Sequence, residues 1–242
     1  MCMKIKSVGI IGFGPFAKLL AEILQDASKE IKIYSRSRVE DLPNYITQEN
    51  LSEVVSSDFT FLAVPFEAYG PVLEQIKPHV SQSTILVDVC SVKLSSVEKI
   101  KQVLPDIKLI ASHPLFGPES STSDKRRIVV CSQDSDPEAL VEFRRLLKQL
   151  NLEEVNITAD EHDKQMAQVH ALTFFIAQGL IDLKLPEPNL PTGFYQSLQR
   201  LIDIQSKHTA QLTNTIERHN PYAKDMRKKL IKSLANLDKI YS

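Results

Sequence analysis

The sequence is poor in glycine, cysteine and tryptophan, and the few cysteines argue against a disulfide-stabilised or zinc-binding protein. Its 242 residues include seven glycines, three cysteines and no tryptophan. The cysteines (Cys2, Cys90 and Cys131) lie far apart and match no zinc spacing, so we predict neither a disulfide framework nor a metal site. A reducing cytoplasm is therefore the expected location.

Net charge and long apolar runs are also lacking. The formal net charge of −1 gives no reason to expect nucleic acid or an anionic membrane as a partner. No apolar stretch approaches the roughly 18 residues of a membrane-spanning helix, and the N-terminus lacks the apolar core of a signal peptide. An apolar content of 43% is ample for a packed core, in one large domain or two modest ones.

Three of the seven glycines fall within the first fourteen residues, in a strand-turn-helix pattern. Residues 8–11 are typical of a buried parallel strand, and apolar residues then recur at helical spacing. The spacing of the small residues permits a tight turn, close approach of the backbone to a pyrophosphate, and close helix packing. A helix N-terminus also offers N–H groups to phosphates. We therefore predict a dinucleotide site rather than a purely structural turn, with contacts from Gly12, Gly14, Pro15, Phe16 and Ala17.

The end of the second predicted strand, residues 31–34, indicates which dinucleotide is bound. A protein that uses NAD usually has Asp or Glu there, for the ribose 2′-hydroxyl. This chain has the sequence Ser-Arg-Ser-Arg instead. Because guanidinium and hydroxyl groups suit a 2′-phosphate, we predict NADP as the cofactor, bound by Ser35, Arg36 and Ser37. A solvated basic turn is the alternative.

Strand and helix patterns alternate through residues 1–157, whereas residues 158–242 show helix patterns alone. The alternation predicts an α/β fold with a Rossmann-type, doubly wound, mainly parallel sheet. The second segment predicts a smaller all-helical domain for substrate binding and dimerisation, because it cannot cover its apolar faces alone. The predicted strands are 8–11, 31–34, 60–64, 85–89, 107–112, 127–131 and 153–157, and the predicted helices after residue 90 are 95–104, 136–150, 159–183, 195–218 and 222–240.

Two of the predicted strand ends carry candidate catalytic side chains. Ser91 follows the strand at 85–89, and His113 follows the strand at 107–112. Ligands bind at the carboxyl ends of parallel strands, so both residues fall where a nicotinamide ring should lie. A turn-capping serine and a half-buried structural histidine are the alternatives. Val64 and Pro65, at the end of the strand at 60–64, are further predicted cofactor contacts.

These motifs resemble the prephenate/arogenate dehydrogenase family of tyrosine biosynthesis. The run His-Pro-Leu-Phe-Gly-Pro that begins at His113 is the most specific of them. Residues 34–37 and the Glu119-Ser120 ending look most like the NADP-using arogenate dehydrogenases. All the segments that carry the resemblance are 12–17, 34–37, 88–93, 113–120 and 159–163.

The resemblance implies an NADP-dependent oxidative decarboxylation of prephenate or arogenate. Hydride leaves C4 of the cyclohexadienol ring for NADP, CO₂ is lost and the ring becomes aromatic. By the family pattern, His113 hydrogen-bonds or deprotonates the C4 hydroxyl, and Ser91 orients the base or the substrate. Gly117 is a further expected substrate contact. Lys93 steadies its loop, contacts a cofactor phosphate or is solvated.

The chain departs from the family pattern at two places. Phe174 stands where the family commonly has a second histidine, with His170 one turn earlier. Members of the family usually bind the substrate carboxylate with an arginine on a later helix, and no arginine stands at that position here. Arg200 lies about one turn away, and Lys207 and Arg218 are other cations on the same segment. We expect His170 and Arg200 to bind substrate. The alternatives are another small NADP-dependent imine or keto-acid reductase, or a dinucleotide-binding protein without turnover.

Overall fold

A computed structural model describes residues 5–120, 125–186 and 188–242, so Cys2 and Glu187 lie outside the described residues. The chain divides into two compact units, Met1–His162 and Asp163–Ser242. Among the described residues, no helix combines the length and the apolar character needed to cross a membrane.

The first unit is built on one sheet of eight strands. These are β1 (Ile5–Ile11), β2 (Ser28–Tyr34), β3 (Ile46–Gln48), β4 (Phe59–Leu62), β5 (Ile85–Asp88), β6 (Lys108–Pro114), β7 (Arg127–Val130) and β8 (Glu153–Asn156). Their order is β3-β2-β1-β4-β5-β6-β7-β8, and β6–β7 is the one antiparallel pair in it. The predicted mainly parallel, doubly wound sheet is confirmed. Its order reverses beside β1, at the kind of switch point where such sheets bind ligands.

Helices cover both faces of this sheet. On one face lie α1 (Pro15–Leu24) and α5 (Pro137–Gln149), which bury Leu20 and Phe143 in the same cluster as Ile10 of β1. On the other face lie α2 (Leu51–Val55), α3 (Tyr69–Ile76) and α4 (Leu94–Val103), packed with Ile11. Successive β1 residues thus alternate between two cores, and full burial of each such side chain contributes about 1.5–3 kcal/mol.

Local side-chain caps fix several helix starts. The Asp136 carboxylate accepts a hydrogen bond from the Ala139 N–H at 2.9 Å, which confirms the predicted start of α5. Asn50 caps α2 in the same way, accepting from the Glu53 N–H at 3.0 Å. Neither α2 nor the short edge strand β3 was among the predicted elements.

The second unit contains helices and, within its described residues, no strand. After α6 (Ala159–Met166) come a π-helical turn (Ala167–Ala171), α7 (Leu172–Asp182), α8 (Gly193–Lys207), α9 (Ala210–His219) and α10 (Ala223–Tyr241). The prediction of one helix over 195–218 is wrong, because His208 and Thr209 are extended and the Thr209 hydroxyl starts α9 by accepting from the Leu212 N–H at 3.2 Å. A small core holds the unit together: Ala171, Phe174, Ile216 and Ala223, with Leu212 beside them.

Candidate active site

The turn after β1 requires glycine at its first position. Gly12 has φ +95°, and a Cβ built there would lie 2.6 Å from the Ala63 carbonyl oxygen. The end of β1 is hydrogen-bonded to the residue after β4 at this point, because the Ala63 N–H donates to the Ile11 carbonyl at 2.9 Å. A side chain would therefore force β1 and β4 apart, and the close turn depends on Gly12.

The N-terminus of α1 is open to an anion. Gly14 is the N-cap residue and supplies no side-chain hydrogen bond, and the first turn contains no acidic residue. The N–H groups of Phe16 and Ala17 thus receive no side-chain cap, and a Cβ at Gly14 would meet nothing within 4 Å. Backbone donors, a positive dipole end and open space together fit the pyrophosphate of a dinucleotide.

A basic pocket follows the end of β2. The cavity has a volume of about 420 Å³, and Arg36 and Arg38 on its wall make no ion pair with any described residue. The side chain of Gln48 in β3 fixes the loop after β2. Its carbonyl oxygen accepts a hydrogen bond from the Val39 N–H at 2.9 Å, and its NH₂ group donates to the Ser37 backbone carbonyl at 2.9 Å. The residues that line the pocket are Ser35, Arg36, Ser37, Arg38, Val39, Leu42 and Gln48.

A buried polar cluster fixes the ends of β5 and β6. The Asp88 carboxylate accepts hydrogen bonds from the Tyr69 hydroxyl at 2.7 Å, from the Cys90 N–H at 2.9 Å and from the Ser96 hydroxyl at 2.5 Å. Burial, with the adjacent Asp88 charge, raises the pKa of the Cys90 thiol to about 12 and holds the pKa of Tyr69 well above its usual value. Both groups therefore stay protonated at neutral pH.

Lys93 belongs to this cluster. Its side chain is fully buried and its ammonium donates to the Asp88 carboxylate and to the Ser112 carbonyl. The Ser112 hydroxyl in turn donates to the Asp88 carbonyl at 2.8 Å. Lys93 is therefore not a solvated charge, and its burial favours the loop-steadying role over contact with a cofactor phosphate. The loop that it holds carries Ser91, and the strand that it holds ends at His113.

His113 is buried near the end of β6 and contacts a second histidine. Its Nδ1 lies 2.8 Å from Nε2 of His162, and the two rings meet edge to face with centroids 5.0 Å apart. Both side chains are buried, with 4% exposure for His113 and none for His162. Because Nδ1 is engaged in this way, His113 must use Nε2 for any exchange of a proton with a substrate.

An aromatic contact joins the cofactor turn to the histidine segment. Phe16, in the first turn of α1, packs against Phe116, three residues after His113, with ring centroids 6.4 Å apart. Val64 lies beside the same turn, because a Cβ on Gly12 would meet its Cγ1 at 2.8 Å. The structure therefore brings together three motifs that are separate in the sequence.

The remaining predicted residues of the first unit lie in the loops around this site. Ser91 is half-buried after β5, and its hydroxyl makes no hydrogen bond with any described residue. The Gly117 N–H donates a hydrogen bond to the Ser120 hydroxyl at 2.9 Å. Pro65 is exposed after β4. The Ser91 hydroxyl, which has no partner among the described residues, is therefore a candidate substrate contact.

In the second unit, the two residues expected to bind substrate lie on different elements. His170 is in the π-helical turn, a feature often found at functional sites, and its ring lies 5.8 Å from that of Phe174. Phe174 also stacks on His208, with centroids 4.8 Å apart. Arg200 is exposed on α8. A pair of imidazoles thus flanks the phenyl ring at the position where a histidine is expected.

Three residues of interest were not among the predicted site residues: His162, His208 and Gln48. For His162 a signal existed, because it lies in the matching segment 159–163. It also falls in the first turn of a helix that begins with a capping box, in which the Thr158 hydroxyl accepts from the Glu161 N–H at 3.1 Å. Gln48 and His208 gave no such signal.

A doubly wound, mainly parallel sheet whose first turn fits a phosphate defines a nucleotide-binding domain of the Rossmann class. Residues 24–155 match the family model of the prephenate dehydrogenase nucleotide-binding domain. The chain therefore belongs to the prephenate dehydrogenase family.

Individual relatives agree with this assignment. The chain is 24% identical to the "Probable arogenate/prephenate dehydrogenase" of Methanocaldococcus jannaschii over 80% of its own length and 46% of the relative. It is 25% identical to the prephenate dehydrogenase [NADP(+)] of Saccharomyces cerevisiae over 72% of its length and 41% of that relative. It thus spans less than half the length of either protein.

The fold also has solved counterparts. The prephenate dehydrogenase of A. aeolicus, in complex with hydroxyphenyl propionate and NAD⁺, superimposes with a TM-score of 0.79 over the whole of this chain and 92% of that structure, at 18% identity. At this identity the likeness shows the fold alone.

Proposed function

We propose that this chain is an NADP-dependent dehydrogenase that oxidatively decarboxylates prephenate or arogenate in tyrosine biosynthesis. The observation that carries the proposal is the buried His113, held at a strand end and joined to the cofactor turn through Phe116 and Phe16. The names of the relatives from M. jannaschii and S. cerevisiae support the same reaction class.

The turn after β1 and the loop after β2 would hold the dinucleotide. Gly12, Gly14 and the N–H groups of Phe16 and Ala17 fit its pyrophosphate, as described above, with Val64 and Pro65 beside them. When bound, the nicotinamide accepts a hydride from C4 of the substrate. The contribution of the protein is to orient the substrate, exclude water and move a proton.

His113 and Ser91 perform the proton chemistry in this proposal. His113 takes the proton of the C4 hydroxyl on Nε2 as C4 loses hydride and the substrate carboxylate leaves as CO₂. The proton returns to the same oxygen as the ring becomes a phenol. The Ser91 hydroxyl orients that oxygen. Gly117, in the same loop as Phe116, is the further substrate contact in this proposal.

The preference for NADP is supported by the charges of the pocket after β2. Arg36 and Arg38 have no acidic partner among the described residues, and an arginine fork suits a phosphate. Gln48 holds the backbone of this loop in place, so that Ser35, Arg36 and Ser37 need no large rearrangement to bind a 2′-phosphate. The relative from S. cerevisiae is named for NADP, whereas the A. aeolicus structure contains NAD⁺.

The helical unit contributes substrate-binding residues and a dimer surface in this proposal. We assign His170 and Arg200 to substrate binding. One side of α10 exposes Ile231, Leu234, Leu237 and Tyr241 at spacings of three and four residues. Such an apolar stripe favours a second copy of the chain as its partner.

The experiment that tests the proposal compares four combinations of cofactor and substrate. Reduction of NADP and of NAD by the purified chain is followed by absorbance, with prephenate and with arogenate. We expect NADP reduction with at least one substrate and a lower kcat/KM with NAD. Dinucleotide binding without reduction in any combination would instead support a binding protein without turnover.

A further inference from the structure

His162 is a fully buried titratable residue to which the proposed reaction gives no role. Its Nε2 lies 2.8 Å from Nδ1 of His113, and the rings meet at an interplanar angle of 84°. This distance is a hydrogen bond, so one of the two nitrogens donates a proton and the other accepts it. The direction of that bond fixes which nitrogen of His113 carries hydrogen.

We infer that His162 is a positioning residue, which accepts a hydrogen bond from the His113 Nδ1–H and so holds His113 in the tautomer that can act as a base. This inference rests on the proposed role of His113. A neutral imidazole has one N–H and one lone pair, so a proton kept on Nδ1 leaves the lone pair on Nε2. The opposite direction would place the proton on Nε2, where the substrate proton must arrive.

The same hydrogen bond gains strength when His113 takes up the proton. His113 is then an imidazolium, and its Nδ1–H donates a charge-assisted hydrogen bond to a neutral imidazole. The arrangement follows the general pattern in which a base is itself oriented by a third group. Here the orienting group is a second histidine rather than a carboxylate.

The two backbones that carry the pair are fixed independently of any ligand. His162 lies in the first turn of α6, which begins at the Thr158–Glu161 capping box, and its N–H donates to the Thr158 carbonyl at 2.9 Å. His113 follows Ser112, whose carbonyl accepts from the buried ammonium of Lys93. The pair is therefore preorganised within the first unit.

Two substitutions of His162 in the full chain separate positioning from packing. His162→Leu fills the site but removes the acceptor, whereas His162→Gln places an amide oxygen near the former position of Nε2. We expect His162→Leu to lower kcat at least about tenfold, with little change in KM or in NADP affinity. His162→Gln should recover much of that loss. His79→Leu, at an exposed histidine, is the control and should leave kcat unchanged.

A spectroscopic measurement tests the tautomer without depending on turnover. Ring ¹⁵N NMR of the unmodified protein at neutral pH should show hydrogen on Nδ1 of His113, and His162→Leu should reduce that preference. Hydrogen on Nε2 of His113, or normal kcat in a folded His162→Leu variant, would overturn the inference. If the Leu variant does not fold, the kcat of the Gln variant and the spectrum of the unmodified protein decide whether the inference holds. Failure of the unmodified protein to oxidise either substrate would refute the proposed function instead, and the NMR result would still give the direction of the bond.

Discussion

At the scale of the residue, the proposed preference for NADP predicts that Arg36 determines cofactor choice. Its guanidinium lies on the wall of the pocket after β2 and has no acidic partner among the described residues. One charge-assisted contact typically contributes about 1.5–3 kcal/mol, which is roughly tenfold to a hundredfold in affinity. Arg36→Ala should therefore raise the KM for NADP by that factor while barely changing the KM for NAD. Equal losses with both cofactors, or a preference for NAD in the unmodified protein, would contradict the assignment.

If His113 is the base, as proposed, its protonation state should affect the pH dependence of turnover. A histidine ordinarily has a pKa of about 6.5, and only its neutral form can accept the proton of the C4 hydroxyl. Turnover should therefore fall as the pH is lowered and His113 becomes protonated. The measurement is kcat as a function of pH. Ser91→Ala serves as a comparison: it should lower kcat at every pH, but by less than a substitution of His113 does. A flat profile would contradict a titrating base.

At the scale of the element, Lys93 holds the ends of β5 and β6 together. It pairs with Asp88 in a fully buried cluster, and removing one partner leaves a buried charge uncompensated. Such a loss typically costs about 3–5 kcal/mol of the free energy of unfolding. Lys93→Leu should destabilise the protein by this amount in urea titrations. Lys101→Leu is the matched control, because Lys101 is half-exposed and its ion pair with Asp134 spans 3.9 Å. Equal effects of the two substitutions would contradict the role of the cluster.

The elements of the sheet unit could be predicted from sequence wherever their signals are local. The apolar run before Gly12 and the Asp136-Pro137 pair each mark an element boundary within a few residues. Strand β3 spans only three residues at the sheet edge, so it has no periodicity to detect. The break at Thr209 contains neither glycine nor proline, so the sequence pattern predicts a continuous helix there.

The site was predictable in part for the same reason. His113 lies near the end of β6 and Ser91 lies three residues after β5, so the predicted strand ends indicated both of them. The residues that contact and position the site come from distant parts of the sequence. His162 is 49 residues after His113, and Lys93 is 19 residues before Ser112. Contacts of this kind follow from tertiary packing, and no local pattern encodes them.

At the scale of the whole molecule, the exposed side of α10 predicts a homodimer. Ile231, Leu234, Leu237 and Tyr241 are 43–84% exposed, and lysines occupy much of the opposite side of the helix. Light scattering at micromolar concentration should give twice the mass of one chain. Leu234→Glu should shift this towards the monomer, because it places a charge in an apolar interface.

Asn236→Glu is the matched control for the dimer. It adds the same charge on the opposite side of α10, at an exposed position, and should leave the dimer intact. A monomer mass for the unmodified chain would contradict this prediction, as would equal effects of the two substitutions.

The most direct test of the central claim is the turnover number of His113→Asn. Asparagine keeps a polar group near Nδ1, towards His162, and removes Nε2, the nitrogen that takes the substrate proton in the proposal. NADP affinity should be retained, because the cofactor phosphates are bound by the turn after β1. Turnover should fall by roughly a hundredfold to ten-thousandfold, the usual contribution of general acid–base catalysis. Near-normal turnover of this variant on both prephenate and arogenate would contradict the account and leave only a dinucleotide-binding fold.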